Sequence, residues 1–105
     1  MNGHDQRLYR TMAEDLDQYE GGAIGLDHLI SSLDALLGVL EGMDQEWWDA
    51  FRYEWGTLET VYAIALDRGV TQLSPENQAL IDEAIKNMRR LLADRITSER
   101  VVGDS

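Results

Sequence analysis

The chain has 105 residues, 44% of them hydrophobic, no cysteine and a single proline, with 20 acidic residues against 9 basic ones for a net charge of −11. That length and apolar fraction suit one domain with one core. The missing cysteines exclude a disulfide framework, a thiol nucleophile and any cysteine zinc site, and the acidity disfavours direct binding to nucleic acid or to anionic lipid, whose phosphates are held by Lys and Arg.

Leu8, Met12, Leu16 and Tyr19 recur at helical spacing up to Gly21-Gly22, which predicts a first helix over roughly 5–20. The N-terminal "MNGHDQRLYR" has no apolar signal-like run, so a soluble, cytoplasmic protein is expected. Leu26, Leu29, Ile30, Leu33, Leu36, Leu37 and Leu40 form one broad stripe and set a second helix at 26–41. Gly42 is placed as its left-handed terminator, with Met43 folding back on Leu37.

Asp44 then offers an N-cap for the amide of Glu46 or Trp47, and no breaker stronger than Gly56 intervenes before Gly69. A third helix over 45–68 follows, ~36 Å long at 1.5 Å per residue. Its residues Trp48, Phe51, Trp55, Leu58, Tyr62 and Ala65 are spaced 3, 4, 3, 4 and 3 apart, an apolar seam directed at the core. "LSPENQ" restarts the chain with Ser74 at the N-cap and Pro75 at the first helical position. Leu80 with Ile81, Ala84, Ile85, Met88, Leu91, Leu92 and Ile96 carry a fourth helix over 75–96, and 97–105 is expected to fray. Four amphipathic helices with short connections predict an all-α, up-and-down four-helix bundle in one domain, 1–105. Its expected core includes Leu33, Leu37, Trp48, Phe51, Trp55, Leu58, Tyr62, Ile85 and Met88.

Chemistry-bearing patterns are sparse. His28 with Ser31 and Ser32 has reachable helical spacing but no glycine elbow or oxyanion-hole sequence beside it. Neither His4 nor His28 follows a glutamate by three residues, and no calcium loop or His-Glu-x-x-His is present. "EGGAIG" lacks the Lys-Ser/Thr of a phosphate cradle. No enzyme activity, cofactor or metal is therefore expected. Charge is the more informative signal. Between Arg10 and Arg52 there is no lysine or arginine, while Glu14, Asp15, Asp17, Glu20, Asp27, Asp34, Glu41, Asp44, Glu46 and Asp49 all fall there. A surface of that sign attracts a basic protein and speeds its docking. Trp47, Tyr53 and Glu54 lie off the seam, so Asp44, Glu46, Trp47, Asp49 and Glu54 are the expected partner-binding residues, with Trp47 as an exposed anchor inside an acidic rim. The alternative for Trp47 is a place against helix 1 or 2 at the edge of the core.

The segment from Tyr19 to Gly69 resembles small helical immunity proteins encoded beside bacterial toxin genes, as in contact-dependent growth inhibition and other polymorphic toxin systems. The resemblance is carried by Gly25, Leu26, Trp48, Phe51, Trp55, Leu58, Glu59, Tyr62, Ala63, Asp67 and Gly69. It implies an antitoxin-like protein that binds a cognate toxin domain, often a nuclease, and covers its active site. Two other classes fit the same residues: an acidic nucleic-acid mimic that regulates another basic protein, and a helical module that self-associates.

Overall fold

A computed structural model describes residues 3–42, 44–69 and 73–104, with side chains up to Ile96. It is an all-α, up-and-down four-helix bundle: α1 (Gly3–Glu20), α2 (Leu26–Gly38), α3 (Gln45–Arg68) and α4 (Pro75–Asp104). α1 packs on α2 and α4, and α3 packs on the same two helices, giving the cyclic order α1, α2, α3, α4. Among the described residues no helix is long and apolar enough to cross a membrane.

α3 begins and ends on local signals. The Asp44 carboxylate accepts the Trp47 amide at 2.7 Å, and Gly69 closes the helix at φ 65°, a left-handed position suited to glycine. α4 starts in the same manner, with the Asn77 amide donating to Ser74 Oγ. It continues to Asp104, past the end near 96 that its apolar pattern sets.

α2 stops at Gly38 instead of 41. The amides of Val39 and Leu40 turn back to the carbonyls of Leu36 and Leu37, which buries Leu40. Asp5, a buried residue of α1, then takes the next two amides: its carboxylate accepts Glu41 N at 3.0 Å and Gly42 N at 2.5 Å. This connection is fixed by an acid 36 residues away, not by a terminating glycine. The expected fold-back of Met43 lies outside the described residues.

The core holds Tyr9, Met12 and Leu16 of α1, Leu29, Leu33 and Leu37 of α2, Phe51 and Leu58 of α3, and Ile81, Ile85 and Met88 of α4. Trp55 belongs to it and donates its indole N–H to the Ile30 carbonyl at 3.0 Å. Two residues of the expected seam, Trp48 and Tyr62, are displaced toward its edge. Trp47 is buried, only 4% exposed, whereas Trp48 and Tyr62 are half-buried and pack on the core from its edge. The cause is the width of the buried face: α3 sits between two neighbours, and an ideal helix drifts ~20° per heptad from a strict seam. Trp47 and Val61 therefore lie inside with Phe51, Trp55 and Leu58.

Candidate protein-interaction surface

Of the five residues expected to bind a partner, the structure keeps some exposed and ties others inward. Glu46 and Asp49 are exposed on the first turns of α3, and Asp49 accepts a hydrogen bond from Gln45 Nε2 at 2.8 Å. Asp44 is exposed but occupied twice over, by the Trp47 amide and by Arg95 of α4 at 2.7 Å. That Arg95 contact, with the Trp47 amide behind it, holds the Asp44 carboxyl below its ordinary range. Glu54 is half-buried and accepts from Asn87 of α4 at 3.3 Å.

Trp47 is the correction. It is not an exposed anchor: its ring stacks on Phe51 at 5.2 Å, meets Tyr9 of α1 edge-on at 5.3 Å, and lies under the Arg95 guanidinium. Its indole N–H donates to the Leu91 carbonyl of α4 at 3.0 Å. A partner cannot reach this side chain without unpacking α1 from α4.

Three arginines are directed at particular acids, and other acids stay at the surface. Arg52 pairs with Asp34 while lying 4.5 Å over the Trp55 ring, Arg89 pairs with Asp17 and Glu20, and Arg95 pairs with Asp44. Asp15 is buried and accepts the Ser32 hydroxyl. Glu14, Asp27, Glu41, Glu46 and Asp49 remain exposed on α1, α2, the following connection and the start of α3.

Two smaller groupings have simpler explanations. Asp27, His28, Ser31 and Ser32 line an open depression on α2, with the Ser32 hydroxyl already committed to Asp15. His4, Asp5 and Glu41 each bring one potential ligand atom within 4.8 Å of the others. Both Asp5 oxygens there accept backbone amides, and His4 Nε2 lies 3.1 Å from the Val39 carbonyl, so the group works as a clasp between α1 and the end of α2. No local pattern marks it in the sequence, since Asp5 and Glu41 are 36 residues apart.

A further surface, off the apolar seam, lies between α3 and α4. A groove of about 500 Å³ is lined by Tyr53, Thr57, Thr60 and Ile64 of α3 with Asn77 and Leu80 of α4. Tyr53 is 74% exposed and Leu80 51%. The signal was available in the sequence, because Tyr53, Thr57, Thr60 and Ile64 are spaced 4, 3 and 4 apart on a second face of α3.

No family model matches the chain, and neither a curated protein nor a solved structure matches it.

Proposed function

We infer that this protein is a non-catalytic binding module that neutralises a basic partner, acting as an immunity protein for a cognate bacterial toxin domain. A nuclease is the toxin class that fits, since exposed carboxylates can occupy a cleft built for phosphates and so cover its active site. The observation that supports this is the distribution of charge. Arg52, Arg89 and Arg95 are paired with Asp34, Asp17, Glu20 and Asp44, while Glu14, Asp27, Glu41, Glu46 and Asp49 stay exposed in a stretch, 11–51, that holds no basic residue.

The test is binding and inhibition of the product of the gene beside its own. Association should slow steeply as salt rises, while dissociation changes little, as expected when charge steers encounter. Reversing Glu14, Asp27, Glu46 and Asp49 to lysine should slow association and weaken protection without loss of helical content. Association insensitive both to salt and to these reversals would refute the acidic-surface reading. Failure of the wild-type protein to bind the neighbouring product would refute the immunity role.

A further inference from the structure

We propose that the α3–α4 groove receives an amphipathic helix of the basic partner, its apolar stripe against Tyr53, Ile64 and Leu80 and its lysines or arginines toward Glu46, Glu76 and Glu83. The inference rests on the reading above that the partner is a basic protein, and it specifies where and by what element that protein docks.

Apart from Arg52, the residues lining the groove are uncharged. Glu46, Ala50, Tyr53, Thr57, Thr60 and Ile64 follow one another at spacings of 4, 3, 4, 3 and 4, so they form one row on α3. Opposite it, Glu76, Leu80, Glu83 and Asn87 form a row on α4 at spacings of 4, 3 and 4. The hydrogen bond from Asn87 to Glu54 and the place of Leu80 in the groove lining put those two residues on the side toward α3. Glu46, Glu76 and Glu83 are exposed, and Glu54 is half-buried. Arg52, the cation lining the groove, is engaged by Asp34 and lies over Trp55. Arg68 ends the α3 row at its far turn.

Shape selects a helix. Two parallel rows of side chains with a shallow channel between them are what a third helix fills with residues at i, i+3, i+4 and i+7. The small residues Gly56, Thr57 and Thr60 let that helix come close, and a Cβ added at Gly56 would meet nothing within 4 Å. Charge selects its sign. A second copy of this chain would bring another net charge of −11 and its own glutamate rims against these, whereas a helix flanked by Lys or Arg meets complementary charge.

Gly56→Arg tests the site without disturbing the fold, because the position is helical, open and better occupied by arginine than by glycine as a helix former. The probe is a synthetic amphipathic peptide of leucine and lysine, about 18 residues or five turns long, with its leucine and glutamate counterpart as control. Binding is followed by amide NMR shifts at about 0.15 M salt, where the Debye length is about 8 Å and close contacts to the glutamates still count, whereas general attraction to an acidic protein would shift amides on every face and be indifferent to Gly56→Arg. The lysine peptide should shift Tyr53, Thr57, Thr60, Ile64 and Leu80, bind at least tenfold more weakly to Gly56→Arg, and outbind the glutamate peptide. No binding, or shifts confined to α1 and α2, would overturn the proposal. So would a wild-type dimer in sedimentation that Gly56→Arg dissolves, since the groove would then belong to a second copy. Binding of the neighbouring gene's product separates the two readings. If Gly56→Arg leaves it unchanged the groove is refuted and the acidic-surface reading stands, and if the wild type does not bind, that reading itself fails.

Discussion

Trp47 and Trp48 are adjacent in the chain and differ in what they touch. Trp47 is enclosed by Tyr9, Phe51 and Arg95, with its N–H on a backbone carbonyl, whereas Trp48 is half-buried beneath Arg52 at 5.3 Å. Replacement by alanine should therefore cost about 3 to 5 kcal/mol at Trp47, and equally at Trp55, from lost burial and the cavity left behind. Trp48→Ala should cost roughly 1 to 2 kcal/mol, in keeping with partial burial. Urea titrations of the three variants followed by circular dichroism give the comparison, and equal losses at 47 and 48 would contradict the packing. The distinction was not legible in the sequence, because both residues stand at helical spacing from Phe51 and only the neighbours of α3 choose between them. Asp44 yields a prediction of another kind. Its carboxyl is held below the ordinary 3.8 by Arg95 and the Trp47 amide, so the stability it confers is present above 3.8 and is lost as pH falls below that value through the folded-state pKa. Asp44→Asn keeps a capping oxygen but cannot lose a charge. Melting temperatures of wild type and variant should thus differ at neutral pH and converge in acid, and a gap that is constant with pH would show that the Arg95 pair does not contribute.

The helices differ in how locally they are specified. Both ends of α3 were legible because Asp44 and Gly69 act within a turn of themselves. The end of α2 was not, because Asp5 reaches it from another helix. Two substitutions probe that contrast. Gly69→Ala forces a side chain into φ 65° and should cost about 1 to 2 kcal/mol although no atom lies near enough to clash. Asp5→Ala leaves the amides of Glu41 and Gly42 without their acceptor, which should cost about 1 to 3 kcal/mol. It should also speed hydrogen exchange at those two amides ahead of the rest of the bundle, an outcome that plain loss of global stability would not produce.

Across the whole molecule, charge and packing pull against each other. A net charge of −11 repels itself in the compact state, and the Arg52, Arg89 and Arg95 pairs counter it where α3 and α4 meet the acids of the first half. Those pairs are partly exposed and individually weak. Screening should then relieve more repulsion than attraction, so the melting temperature should rise modestly from very low salt to about 0.15 M, where the Debye length is about 8 Å. Glu14→Lys should flatten that rise, and a melting temperature that falls with salt would place the ion pairs ahead of the excess charge. The bundle as a whole was legible because apolar period, capping residues and short connections all agree. The candidate surfaces were legible only in part, since exposure depends on which face each helix turns to its neighbours: Trp47 is more deeply buried than Trp48, the reverse of what their spacing suggested.

The two indole anchors of α3 also give the fold two optical reporters. Trp47 is bonded to α4 and touches α1, while Trp55 is bonded to α2. A chain retaining only Trp47 emits from one side of the bundle, and a chain retaining only Trp55 emits from the other. With the remaining tryptophans replaced by phenylalanine, coincident fluorescence midpoints would mark a single cooperative unit, and separated midpoints would show the α2 side and the α4 side letting go in turn.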